Sequence, residues 1–268
     1  MSDDSRDPRD RLEFDYWNPT QYDRFQRERS QPFYDLVAML DARPGMRVLD
    51  LGCGTGNLTN DLHMRLGARQ TIGIDTSAAM LETRMRLKAQ GLELRRDDIS
   101  TFADDEPFDL IFSNAALHWV DDHPDLFARY AKMLAPGGQW AVQVPANERH
   151  ASHTTAVAVA GEAPFRDALG GWVRVSPVLE PDEYAVLLDK LGFRDIRAQE
   201  HVYPHEMPST ADVVEWVKGT TLTSYMKRLP KELQEPFVDR YRQLLLERVG
   251  EHSPYRFEFR RILMWAAR

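Results

Sequence analysis

A single cysteine, Cys53, stands in 268 residues. No disulfide can form within the chain, and a reducing compartment, the cytoplasm, is the expectation. Long hydrophobic runs are missing as well. No stretch approaches the ~20 apolar residues that a bilayer-spanning helix needs, so no membrane partner is expected. The start, Met1 to Arg11, is polar and lacks the apolar core of a secretion signal. Positive charge is in deficit: 34 Lys and Arg against 42 Asp and Glu leave a formal net charge of −8. Such a chain is a poor polyanion binder, which argues against nucleic acid while leaving room for a small acidic ligand in a local pocket. H-E-x-x-H, G-x-S-x-G and C-x-x-C are all absent, so zinc protease, esterase and zinc-finger readings have no support. His201 and His205 flank Pro204 at a strand end, which disfavours a helical metal pair, and no metal is expected. No internal repeat or low-complexity tract occurs.

What remains is an ordinary globular composition, 43% hydrophobic and 28% charged, enough for a core of normal size. Residues 1–15 read as a loose tail rich in Asp and Arg. Residues 16–43 read as amphipathic helices that could lid a ligand, closing at Pro44-Gly45. Strand and helix then alternate over residues 44–145. Expected strands are Arg47–Leu51, Thr71–Asp75, Leu92–Arg96, Phe108–Ser113 and Gln139–Val144. Helices run from the glycine turn to about Leu66, from Ser77 to Lys88 and from Pro124 to Leu134. Residues 146–180 form an insertion without a clear strand. A helix at Pro181–Leu191 and a strand at Ile196–Tyr203 follow. A helical cap over 208–252 precedes a last strand, Glu258–Ala266. The expected fold is α/β, Rossmann-like and doubly wound. It has a mostly parallel seven-stranded sheet, an N-terminal helical lid and a cap inserted before the last strand, all within a single domain.

The chemistry concentrates at Gly52-Cys53-Gly54-Thr55-Gly56, between the first strand and its helix. A glycine turn there aims backbone N–H groups at a ligand from a helix N-terminus, and glycine leaves room for close approach. Asn57 follows, where a dinucleotide fingerprint wants Gly or Ala, so pyrophosphate is disfavoured. Asp50, two residues before the turn, would repel pyrophosphate but suits a ligand carrying an ammonium group. Asp75 follows the last glycine by about 20 residues, where an acid takes ribose hydroxyls. Cys53 has no dedicated base nearby and reads as a small packing residue.

V-L-D-L-G-C-G-T-G followed by I-G-I-D resembles class I S-adenosylmethionine-dependent methyltransferases. The resemblance implies S-adenosyl-L-methionine as cofactor, with Gly52, Gly54 and Gly56 beneath its methionine moiety and Asp75 at the ribose, next to Thr76. It implies adenine contact by Asp98-Ile99, with Asp97 as a rival for the acid. Asn114 lines the sulfonium site and Met80 is a candidate for flanking adenine. Tyr22 and Arg29, on the N-terminal helices, could close over the cofactor.

Further segments resemble trans-aconitate methyltransferases: W-N-P-T-Q-Y at Trp17–Tyr22, E-R-S-Q-P-F-Y-D-L at Glu28–Leu36 and N-A-A-L-H-W-V at Asn114–Val120. V-Q-V-P-A-N at Val142–Asn147, Ser152-His153 and E-W-V-K-G-T at Glu215–Thr220 belong to the same set. They imply methyl transfer to a carboxylate of a small polycarboxylic acid, giving a monomethyl ester, by a monomer. A carboxylic acid with pKa of roughly 4 is already ionised at neutral pH, so no catalytic general base is required. Positioning and a dry site supply the rate. The remaining carboxylates need partners, and His118, Trp119, His153, Arg174, Lys218 and Tyr225 are the candidates. The chain departs from that family's usual Leu-Arg-Pro with Leu222-Thr223-Ser224, losing a cation and weakening the case for a tricarboxylate. The alternatives are another small molecule or carrier-bound acid on the same fold, and, from a different class, a nucleotide-dependent oxidoreductase or a non-catalytic binding module.

Overall fold

The computed structural model describes residues 26–82 and 89–268, and side chains within that range from Ser30 onward. The expected tail and Tyr22 lie outside the described residues, as do the side chain of Arg29 and the end of the helix expected to reach Lys88.

The N-terminal helix α1 (Gln26–Val37) leads into β1 (Arg47–Leu51), α2 (Asn57–Leu66), β2 (Gln70–Asp75), α3 (Ala78–Glu82) and β3 (Leu92–Arg96). Next come β4 (Phe108–Asn114), a short 3-10 turn at Leu117–Trp119, α4 (His123–Ala131) and β5 (Leu134–Pro145). The seven strands form one sheet in the order β3-β2-β1-β4-β5-β7-β6, with β6 spanning Arg194–Met207 and β7 Tyr255–Ala267. β1 pairs in parallel with β2 and with β4, aligning Leu49 with Ile72 and with Ile111, and β7 runs antiparallel to β5. The doubly wound, mostly parallel architecture expected from the alternation is therefore present.

Burial on both faces explains the apolar Val48, Leu49 and Leu51 of β1, all five of whose residues are buried, the charged Arg47 and Asp50 included. Alternate residues face opposite cores. Leu49, Ile111, Trp140 and Val142 join Phe127 and Tyr130 of α4 and Tyr184 and Leu188 of α7 (Pro181–Lys190). Val48, Leu110, Phe112 and Ala141 pack with Phe33 and Leu36 of α1 and Leu62 and Leu66 of α2. Asp50, Asn114 and Gln143 share the parity of that second face.

Several boundaries shift in detail: β6 and β7 run longer than the expected Ile196–Tyr203 and Glu258–Ala266. β5 starts at Leu134 rather than Gln139, because its register against β4 slips between Phe108 and Leu110 and absorbs the Pro-Gly-Gly turn. The insertion holds helices α5 (Ala151–Ala160) and α6 (Phe165–Ala168). Apart from His153, α5 is built of Ala, Ser, Thr and Val with almost no amphipathic contrast, which hid it from a periodicity reading.

The chain divides into two compact units. Among the described residues, one comprises 147–175 and 204–257. It holds α5, α6, α8 (Asp212–Lys218), α9 (Thr223–Met226) and α10 (Lys231–Val249). Its own core includes Trp216, Tyr225, Phe237 and Tyr241, with Phe237 stacked on Tyr225 at 5.3 Å. The other unit comprises 26–146, 176–203 and 258–268 of the described residues and carries most of the sheet.

Candidate functional site

The strand order reverses direction between β1 and β4, and ligands of such sheets bind outside the carboxyl ends of the strands at that point. The Ser113 hydroxyl donates to the Leu51 carbonyl at 2.7 Å and ties the two strand ends together. Gly52 then turns with φ +79°, and a Cβ there would lie 2.1 Å from Ala116 Cβ. Only glycine fits this approach of the turn to the loop after β4. Gly56, also at positive φ, starts α2.

Asp75 braces the turn from β2. Its Oδ2 accepts the Gly54 N–H at 2.9 Å and its Oδ1 accepts the Ser77 N–H at 2.9 Å. Ser77 Oγ in turn accepts the Met80 N–H at 3.1 Å and so caps the start of α3, and Met80 is buried. Thr76 is exposed, and its carbonyl accepts from Arg96. Asp50 is buried behind the turn and accepts the Thr59 hydroxyl at 2.6 Å. Burial, opposed by the Thr59 hydrogen bond and reinforced by the nearby Asp75, pushes its carboxyl up to about 7.

The loop after β3 is held by α4. Tyr130 donates its hydroxyl to the Ile99 carbonyl at 2.8 Å, and the Arg129 guanidinium donates to the carbonyls of Ile99 and Ser100. Ile99 is buried, and its Cδ1 would lie 3.8 Å from a Cβ at Gly52, which brings it to the turn. Asp98 is exposed and caps Ser100 N–H at 2.7 Å, while Asp97 accepts from Asp98 N–H at 2.8 Å. Both acids are thus engaged locally, and neither is singled out by geometry.

At the end of β4, the Asn114 Oδ1 is buried with no hydrogen-bond partner among the described residues. The next residue, Ala115, sits at φ +57°, a conformation that costs a non-glycine residue of order 1 kcal/mol and clusters at ligand sites. Beside Asn114 in register on β5, Gln143 is fully buried, and neither Oε1 nor Nε2 finds a partner among the described residues. Sequence reading missed Gln143. The available signal was a lone amide inside the apolar run Trp140–Val144. The 3-10 turn brings His118 and Trp119 together, with ring centroids 4.7 Å apart. It is pinned by buried His123, whose Nε2 meets the Leu117 carbonyl at 3.0 Å and whose Nδ1 meets the Tyr184 hydroxyl at 2.6 Å.

In the unit built on α5 and α8–α10, a second polar cluster forms. His153 lies on α5 with Nε2 2.8 Å from Thr221 Oγ1 and Nδ1 3.0 Å from Ser152 Oγ. Burial, with Arg174 and His150 nearby, pushes its imidazole down to about 3, so it is neutral. The Arg174 side chain is 12% exposed and 3.8 Å from Glu148, and its backbone N–H donates to the Tyr225 hydroxyl at 3.3 Å. Trp172 packs edge-on against Tyr225, and the Arg228 guanidinium lies 3.9 Å over the Trp172 ring. Thr221, Trp172 and Arg228 were not singled out in the sequence. Lys218 stands apart from this cluster in character: 40% exposed and 3.4 Å from Glu215 within its own helix.

No group of three or more potential metal ligands occurs among the described residues. A depression of about 620 Å³ lies among Arg69, Gln70, Gly91, Leu92 and Glu93, where β2 and β3 begin. That is the edge of the sheet opposite the glycine turn, and no cluster of reactive side chains lines it.

Residues 48–138 match a family described as a methyltransferase domain. Trans-aconitate 2-methyltransferase of Deinococcus radiodurans is 44% identical over 94% of this chain and 98% of that relative. The protein of the same name from Variovorax paradoxus is 39% identical over 92% and 94% of the two chains. The chain belongs to the trans-aconitate 2-methyltransferase family. Among solved structures, a phosphoethanolamine N-methyltransferase of Haemonchus contortus bound to S-adenosyl-L-methionine aligns with TM-score 0.53 at 17% identity. That alignment covers 88% of this chain and 52% of the other. A Mesorhizobium loti S-adenosylmethionine-dependent methyltransferase aligns with TM-score 0.51 at 21% identity, over 91% and 100%. At such identities these two establish the fold. The protein is an S-adenosylmethionine-dependent methyltransferase, and the buried, unpartnered acceptor on Asn114 at the carboxyl end of β4 fits that cofactor. No helix among the described residues is long and apolar enough to cross a membrane.

Proposed function

We propose that this enzyme methylates one carboxylate of trans-aconitate, or of a closely similar small polycarboxylic acid, to a monomethyl ester. The carrying observation is the reach of the likeness. Identity of 44% extends over 94% of the chain, insertion and cap included, and so beyond the cofactor-binding core. When bound, S-adenosylmethionine supplies an electrophilic methyl whose carbon–sulfur bond breaks with its electron pair on sulfur, so a carboxylate oxygen becomes an ester with no proton moved.

The residues divide the work accordingly. Gly52, Gly54 and Gly56 carry the cofactor's methionine part, Asp50 faces its ammonium group and Asp75 takes the ribose. Ile99, Met80, Thr76 and Asp98 serve the adenosine. Asn114 sits beside the reacting centre, with Tyr22 and Arg29 as lid residues. His118 and Trp119 border the acceptor. None of these needs to act as a base, because the acceptor arrives ionised. Charge shrinks as anion meets cation, so excluding water and fixing the approach supply the rate.

Carboxylates that do not react still need cations, since stranding one costs several kcal/mol in order of magnitude. Arg174, only 12% exposed and beside Tyr225 and the neutral His153, is better suited to that task than exposed Lys218, which nonetheless remains a contributor. The same reading has the protein working as a cytoplasmic monomer on a small acid and not on nucleic acid, supported by its one cysteine and net charge of −8.

The test is incubation with methyl-labelled cofactor and a panel of free di- and tricarboxylic acids. A base-labile labelled product from trans-aconitate is expected. No product from any of them would overturn the reading in favour of another small molecule or a carrier-bound acid.

A further inference from the structure

We propose that Gln143 donates the hydrogen bond that positions the reacting carboxylate of the acceptor, an inference that rests on the carboxylate-methylating reading above. Gln143 is fully exposed to neither water nor a protein partner: it is 0% accessible, and both atoms of its amide are without a hydrogen bond among the described residues. Burying an amide unsatisfied is costly, so its place in a carboxyl-terminal row of a sheet, where such folds bind ligands, points to a ligand group as the missing partner.

Register narrows which group that is. Asn114 pairs with Gln143 across β4 and β5, and both belong to the sheet face that Asp50 shares. Gln143 is two strand spacings from β1, roughly 10 Å from the strand that ends in the glycine turn. The turn, Asp50 and Asp75 all lie on the β1–β2 side of the strand-order reversal, whereas Gln143 lies on the far side of Asn114. A group held there is displaced from the turn toward β5, on the side away from the ribose-binding acid.

The chemistry selects a neutral donor. An arginine or lysine against the attacking carboxylate would hold it firmly but withdraw charge from its oxygens and lower its nucleophilicity. An amide N–H orients one oxygen while leaving the other electron-rich. Its carbonyl, Oε1, remains to accept a donor on the ligand or an ordered water. The strained Ala115, whose N–H donates to the Gln143 carbonyl at 2.9 Å, locks the backbone of the two amide-bearing strand ends together.

The experiment uses the full chain with Gln143→Leu and the isosteric Gln143→Glu. Thermal unfolding and calorimetric titration with S-adenosylhomocysteine show whether fold and cofactor site survive. Titration of trans-aconitate into the S-adenosylhomocysteine complex and steady-state kinetics read the acceptor. Gln143→Leu should leave S-adenosylhomocysteine affinity within about threefold and lower kcat/KM for trans-aconitate by roughly 10–100-fold, the worth of a hydrogen bond to a charged group. Gln143→Glu should lose more than Gln143→Leu, because it keeps the shape and sets anion against anion. If Gln143→Glu does not fold, the Gln143→Leu result decides alone. S-adenosylhomocysteine affinity falling in step with kcat/KM would assign Gln143 to the cofactor and overturn the proposal. So would unchanged acceptor affinity and kinetics in Gln143→Leu, while wild-type turnover in the same assay kept the carboxylate-methylating reading intact. Absence of any ester from wild type would instead remove both.

Discussion

The unit that carries the glycine turn and the unit built on α5 and α8–α10 solve different problems by different means. In the first, binding groups are backbone N–H groups and short polar side chains at strand ends: Asp50 near the end of β1 and Gly52 just after it, Asp75 closing β2, Asn114 closing β4. Their positions are fixed by the sheet, so a few contiguous residues define them. In the second, the polar cluster draws Ser152 and His153 from α5, Arg174 from the following loop, Thr221 from the turn before α9 and Tyr225 from α9 itself. No local pattern joins those residues. One site is written as motif, the other as packing.

The sharpest way to break that comparison is at the turn itself. Gly52→Ala places a methyl 2.1 Å from Ala116 Cβ at a φ of +79°. Left-handed strain and overpacking together should cost roughly 2–5 kcal/mol of stability in urea unfolding, with cofactor binding lost. Near-native stability and binding would mean that the loop after β4 relaxes freely, and that the turn is not as rigid as its geometry implies.

Asp50 tests the turn's electrostatics. Its carboxyl stands at about 7 in the folded chain against an ordinary 3.8. Between those values the folded protein holds a proton that the unfolded chain has released. Stability of the cofactor-free protein therefore falls as pH rises from about 4 to 7, by up to about 1.4 kcal/mol per pH unit, and levels off above. Asp50→Asn should flatten that slope. A slope unchanged by the substitution would show that Asp50 is solvated without ligand.

These outcomes bear on how much was legible beforehand. The seven strands, their mostly parallel order and the turn followed from alternating apolar runs punctuated by glycine, because both faces of the central sheet are covered and its strands are rich in apolar residues. β6 extends to fourteen residues, beyond its expected span, since exposed and half-buried positions dilute its hydrophobic pattern. α5 escaped because small residues on every side leave no stripe to read. Gln143 escaped for a different reason. Its significance is the absence of a partner, which only a three-dimensional neighbourhood reveals. Thr59 is similar: a helix threonine becomes informative once it is 2.6 Å from a buried carboxylate.

Asp75→Ala separates ligand binding from bracing. Both carboxylate oxygens already accept backbone N–H groups of Gly54 and Ser77. Removing them should weaken S-adenosylhomocysteine binding by about 1–3 kcal/mol in calorimetry, combining lost ligand hydrogen bonds with a loosened turn. Unchanged affinity would place the ribose elsewhere.

The smallest effects belong to the recognition cations, and their ranking matters more than their size. Arg174 is 12% exposed, whereas Lys218 is 40% exposed and pairs within its own helix. An anion met by the largely enclosed guanidinium is less screened, while one met by the exposed ammonium competes with water and salt. Arg174→Ala should raise KM for trans-aconitate about tenfold with a smaller change in kcat, and Lys218→Ala should raise it by no more than about threefold. Adding salt to the wild-type assay should move KM little if the less exposed cation dominates. The reverse ranking, with a steep salt dependence, would move recognition to the helix surface. It would also return that part of the site to residues a sequence motif alone can name.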